Sequence, residues 1–142
     1  MITAIRRLQF CSGHRVMNHE SKCATLHGHN YVMFIYAKSP ELDSIGRVID
    51  FSVLKEKAGK WIDENWDHNT IIYDMDIEVI SALSSLPRKK EPFIFNLNPT
   101  AENMAEYFLK VICPQIFKED EITVYKIELW ETENCKVEVT LN

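Results

Sequence analysis

The stretch Cys23-Ala-Thr-Leu-His27-Gly-His29-Asn-Tyr31, with the run that follows it to Lys38, decides the fold. From His27 onward it reads as a strand. His27, His29, Tyr31, Met33 and Ile35 fall on one face by period two, and Val32, Phe34 and Tyr36 on the other. Both faces are apolar beyond the histidines, so the strand is expected to be covered on both sides. The same period aims His27 and His29 at one point, about 6–7 Å apart along the backbone. Two convergent imidazoles begin a transition-metal site, and zinc is the usual occupant.

Ahead of this strand, Asn18, His19, Glu20, Ser21 and Lys22 are loop chemistry. Residues 2–15 read as a first strand, with Ile2, Ala4, Leu8, Phe10, Ser12 and His14 sharing a face. Neighbouring strands tend to pair, which would bring His14 to His27 and His29 at one end of a sheet. Three protein ligands and an open position make a catalytic zinc site. The alternative for one or two of the three is a hydrogen-bonded core histidine.

Beyond the second strand, residues 39–46 are a turn and 47–51 are short and extended. A helix is expected over 52–65, with Asp50 or Ser52 as N-cap and a stripe of Leu54, Ala58, Trp61 and Ile62. Gly59 in its middle marks a place of close packing. Residues 70–98 carry the weakest pattern: a short helix over 77–86 ending at Pro87, a charged turn at 88–91 and a short strand at 93–95. A second helix starts at Pro99-Thr100, with Thr100 as N-cap and Glu102 near the positive helix end. Its buried stripe is Met104, Ala105, Phe108, Val111 and Ile112, and Pro114 is expected to stop it. Residues 122–131 and 135–141 form a closing hairpin. The order β-β-α-α-β-β predicts an α+β fold, a four-stranded antiparallel sheet with two helices on one face.

Length and composition set the outer limits. The 142 residues are expected to form a single domain, 1–142, with 46% hydrophobic and 26% charged residues. No apolar run approaches the roughly 18 residues of a membrane span, and the first residues carry charge where a signal peptide is apolar. A cytoplasmic location is therefore expected. Cys11, Cys23, Cys113 and Cys135 lack a disulfide-framework spacing; Cys11, Cys113 and Cys135 read as core. A net charge of −5 with spread acids argues against a nucleic-acid partner. It leaves room for a small anionic substrate in a locally positive pocket.

Three further positions carry chemistry. Cys23 reads as a fourth zinc ligand, as a thiolate base or nucleophile beside the metal, or as a small buried hydrophobe. Asp67-His68, an acid beside a base at a helix end, reads as a proton relay or as helix-terminal capping. Glu131 closes an apolar strand face shared with Ile127 and Leu129, where a carboxylate needs a partner. A ring with two adjacent N–H groups would supply one; a strand-end residue turned to water would not need it.

Taken together, Phe10-Cys-Ser-Gly-His14, Cys23-x3-His27-Gly-His29-Asn-Tyr31, Val48-Ile-Asp50-Phe51, Asp67-His68, Pro99-Thr100-Ala-Glu102-Asn103 and Trp130-Glu131-Thr132 resemble the 6-pyruvoyl- and 6-carboxytetrahydropterin synthase family nearly end to end. The resemblance implies the tunnelling fold, assembled into barrels as a hexamer of two trimers with sites between subunits. It implies Zn2+ held by His14, His27 and His29, Cys23 as general base, and Asp67 and His68 as its relay. Glu131 would anchor a pterin ring and count with the relay, and Thr100 would lie near the pterin pocket. Arg15 and Lys22 are the nearest bases for a triphosphate. The Cys-x3-His spacing resembles the bacterial 6-carboxytetrahydropterin synthases of queuosine biosynthesis, which also release acetaldehyde. The alternatives are a 6-pyruvoyl synthase and a non-catalytic zinc or pterin module on the same fold.

Overall fold

The computed structural model of the chain describes residues 1–87 and 90–142. Its spine is the antiparallel pair of β1 (Ala4–His14) and β2 (His27–Lys38), in register from Ala4↔Ala37 to His14↔His27. On the other edge of β2 lies β5 (Thr123–Thr132), which turns back into β6 (Cys135–Thr140). A bulge in β5 opposite Tyr36/Ala37 lets both Val124 and Ile127 point inward. These four strands are the antiparallel set expected.

The sheet is larger than that expectation, and it is mixed. Its order is β4-β3-β1-β2-β5-β6. β3 (Asn69–Tyr73) runs parallel to β1, through Ser12↔Asn69 and Gly13↔Thr70. β4 (Phe93–Phe95) runs parallel to β3, and α2 (Ile77–Ser84) is part of the crossover between them. A six-stranded mixed sheet with a third helix thus replaces four antiparallel strands with two. The added strands are five and three residues long and show no period-two pattern, so nothing marks their pairing in the sequence. The charged turn expected at 88–91 includes Arg88 and Lys89, which lie outside the described residues.

Helix α1 (Phe51–Asn65) starts at Asp50, whose side chain accepts from the Ser52 N–H at 2.9 Å. Helix α3 (Ala101–Tyr107) starts at Thr100, whose hydroxyl accepts from the Asn103 N–H at 3.1 Å. Both helices cover the same sheet face. Leu54, Ala58 and Ile62 of α1 and Met104, Ala105 and Phe108 of the α3 segment join Phe10, Tyr31, Met33, Ile35, Ile127 and Leu129 in one buried cluster. Phe10 stacks on Tyr31 at 4.9 Å between ring centroids and packs against the buried Trp66.

Three expectations are corrected here. Pro114 does not stop the second helix. The helix widens into a π turn at Phe108–Ile112 and continues as α4 (Cys113–Ile116), with the proline in its first turn, where a missing N–H costs little. The wider turn rotates the helix phase, so Leu109 is buried and Val111 is 40% exposed. Second, β2 is covered on one side only within the chain. Val32, Phe34 and Tyr36 are half-buried, and their face carries a polar cluster in which Tyr36, Trp130 and Lys136 all donate to the Glu128 carboxylate at 2.6–2.9 Å. Third, of the cysteines read as core, only Cys113 is buried; Cys11 is half-exposed and Cys135 exposed. All four are free thiols. Among the described residues no helix is long and apolar enough to cross a membrane.

Gly59 was expected to mark close packing, yet a Cβ there would meet nothing within 4 Å. The helix therefore carries glycine's entropic cost without a packing reason. Gly59→Ala is expected to stabilise the protein by about 0.5–1 kcal/mol, read as a raised urea midpoint at unchanged m-value. A lowered midpoint would mean that this surface is covered.

Candidate active site

The register of β1 and β2 builds the centre of the site. His14 pairs directly with His27, and Ser12 with His29, so His14 has one imidazole opposite and one on the diagonal. The three rings converge, with centroids 4.7–5.1 Å apart. One ligand nitrogen from each lies within 4.8 Å of the others. His14 Nδ1 is 2.6 Å from the Pro99 carbonyl, and His27 Nδ1 is 2.6 Å from the Thr25 carbonyl. A carbonyl only accepts, so both Nδ1 atoms carry the proton and both Nε2 atoms present lone pairs.

That arrangement fits a metal. His27 Nε2 and His29 Nε2 sit 3.1 Å apart. A third imidazole, buried at 1% side-chain exposure, faces them. Burial lowers the pKa of His14 to about 4, against the Pro99 carbonyl and with help from His27 and His29. Burial lowers His29 as well, and the neighbouring His27 adds to it. Neutral imidazoles are the ligand form, so the lowered values of His14 and His29 favour a cation there.

Glu131 closes the site from β5. Its carboxylate oxygens lie 4.0 Å from His14 Nε2 and 3.9 Å from His29 Nε2. Burial raises its pKa, Glu102 adds to the rise, and His27 opposes it. The residue is thus turned inward onto the histidines, as the strand pattern suggests, rather than to water. Thr100 caps α3, directly after the residue whose carbonyl orients His14. No sequence signal points to that carbonyl, because it belongs to the backbone.

Cys23 lies in a short 3-10 turn, Lys22–Ala24, and is half-buried. Its loop is pinned at two points. The Val16 N–H donates to the Cys23 carbonyl at 2.8 Å, and Met17 exchanges two 2.9 Å hydrogen bonds with the Asn98 side chain. Asp67 and His68 sit at the end of α1, at the open end of β1. His68 adopts a left-handed backbone, φ 53°, which is uncommon outside glycine. This conformation lets adjacent side chains touch: His68 Nδ1 is 2.8 Å from Asp67 Oδ2. Asp67 Oδ1 accepts from the Cys11 N–H at 2.9 Å. Burial pushes the Asp67 carboxyl up, but Cys11, His68 and Lys90 outweigh it and hold it below the usual range. Among the described residues, no contact joins Cys23 to this pair within one chain. His68 instead lines a cavity of about 760 Å³ together with His29, Asn30 and Thr70.

Arg15 is not a free base. It grips Asp76 with two 2.6 Å hydrogen bonds, tying the end of β1 to the start of α2. Lys22 is exposed.

The geometry is that of three histidines that could hold a metal ion, with a carboxylate beside them. Residues 3–142 match the family model for 6-pyruvoyl tetrahydropterin synthase, and the chain belongs to that family. Within it, the chain is 42% identical over 139 residues to the 6-carboxy-5,6,7,8-tetrahydropterin synthase of Rickettsia conorii, covering 98% of this chain and 100% of that relative. It is 32% identical to the enzyme of the same name from Helicobacter pylori, over 92% of this chain and 68% of that one. The fold matches the 6-pyruvoyltetrahydropterin synthase structure of Plasmodium vivax with a TM-score of 0.71 at 22% identity, over 100% and 99% of the two chains.

The state of His14 has a measurable consequence. Unfolded, it takes up a proton near the ordinary value of 6.5; folded, only near 4. Between these values the unfolded state binds more protons, so stability falls as pH drops through that window and is unaffected by His14 above it. Urea unfolding of metal-free protein from about pH 8 to about pH 4 is expected to show this slope, and His14→Asn to flatten it.

Proposed function

We propose that the chain is a zinc-dependent lyase converting 7,8-dihydroneopterin triphosphate and one water, which supplies the second carboxyl oxygen, to 6-carboxy-5,6,7,8-tetrahydropterin, acetaldehyde and triphosphate. The observation that carries this is full-length 42% identity to a relative of that name, on a chain that has the His14, His27 and His29 cluster. We take residues 1–142 as one domain acting in the cytoplasm, in queuosine biosynthesis. The short Cys-x3-His spacing supports the carboxy over the pyruvoyl reaction.

His14, His27 and His29 would hold Zn2+, His14 and His27 through the Nε2 atoms that their Nδ1 hydrogen bonds leave open. The bound cation would supply Lewis-acid polarisation of the substrate's side-chain hydroxyls. Cys23 would take the carbon-bound proton beside the ring. His68, held by Asp67 at 2.8 Å, would pass that proton on. Glu131 would accept from two adjacent N–H groups of the pterin ring, fixing it against the histidines, with Thr100 beside the ring. The ring gains hydrogen as the side chain is oxidised, so electrons balance without a redox cofactor. Since Cys23 and the Asp67–His68 pair do not meet within one chain, the site would join two subunits of a hexamer, a dimer of trimers.

Incubation of the zinc-loaded protein with dihydroneopterin triphosphate is expected to yield acetaldehyde and the carboxypterin. A pyruvoyl product would overturn the substrate fate, and no turnover with zinc bound would overturn the enzyme reading. Cys23→Ala is expected to keep its zinc and lose turnover by about 100-fold or more. Loss of zinc in that variant would make Cys23 a ligand instead.

A further inference from the structure

The 70–98 segment returns to the sheet through Lys90, and this lysine sits on the proposed relay. Lys90 Nζ lies 2.5 Å from the Asp63 carbonyl and 2.7 Å from the Asp67 carbonyl. The first belongs to the last turn of α1, where carbonyls lack helical partners and a cation is favoured, and the second lies just past the C-cap Trp66. The same corner is clamped a second time. Asn69 Nδ2 donates at 2.9 Å to the Asn65 carbonyl and to the Glu91 carbonyl, one residue beyond Lys90. Between these clamps His68 holds its left-handed backbone, with its N–H 2.6 Å from the Cys11 carbonyl. Such a conformation persists only where its surroundings over-determine it. Lys90 and His68 also line the same cavity.

We infer that Lys90 is a positioning residue. Taking Asp67 and His68 as the proton relay proposed above, its ammonium group fixes the α1 corner that aims His68 into the cavity. The 70–98 segment thereby contributes to catalysis without touching the reacting atoms. A misplacement of about 1 Å at a proton-transfer group costs on the order of 100-fold in rate.

The test is Lys90→Met, which keeps the aliphatic stem and removes the charge, alongside Lys90→Arg and Asp67→Asn, all in zinc-loaded protein. Lys90→Met is expected to lower kcat about 10- to 100-fold with KM unchanged, and to speed amide exchange at His68 and Asn69. Lys90→Arg is expected to recover most of the lost kcat. A rise in KM at unchanged kcat would make Lys90 a substrate contact and overturn the inference. Unchanged kcat in Lys90→Met, with Asp67→Asn inactive, would overturn it while leaving the relay intact. Unchanged kcat in both variants, with faster exchange in Lys90→Met, would place the failure in the relay itself.

Discussion

The pairing of His14 with His27 across β1 and β2 is the constraint on which the rest depends. A slip of one residue would turn one strand's histidines to the opposite face and undo the cluster. Several features oppose a slip. Phe10 stacks on Tyr31 two pairs along the ladder from Ser12↔His29, so the first core contact and the histidine cluster share one register. Helices α1 and α3 then press on that face alone. Gly28 permits close approach at the same place, since a Cβ there would lie 3.2 Å from the Ser12 carbonyl.

The helices do more than cover the core; each end delivers something to the site. The start of α3 brings the Pro99 carbonyl to His14 Nδ1, which settles its tautomer. The end of α1 carries Asp67 and His68 to the open end of β1, where the Cys11 backbone receives them both. Fold stability and site geometry therefore use the same hydrogen bonds. The backbone at His68 is the one place among these where a non-glycine residue accepts an uncommon conformation, and it belongs to the pair proposed as the relay.

Much of this was legible in the sequence, for physical reasons. The bounds of β2 follow from an uninterrupted period of two, and the starts of α1 and α3 follow from the side chains of Asp50 and Thr100 that cap them. The histidine cluster followed from the same period and the pairing of neighbouring strands. Glu131 was legible as an inward carboxylate because its neighbours on that face are apolar. What stayed hidden lacks a periodic signature. β3 is too short to alternate, and β4, expected as a short strand at 93–95, carries no mark of its parallel pairing, so a mixed sheet looked antiparallel. Pro114 looked like a stop because the π turn that absorbs it leaves no mark in composition. Asp67 and His68 were expected to serve Cys23 as a relay, and among the described residues no contact within one chain joins them.

The central claim is that His14, His27 and His29 hold zinc while Cys23 does not. X-ray absorption at the zinc edge of the purified protein tests it most directly. The expected spectrum has three imidazole nitrogens at about 2.0–2.1 Å, an oxygen donor completing the shell, and no sulfur. A sulfur shell at about 2.3 Å would place Cys23 on the metal and contradict the account.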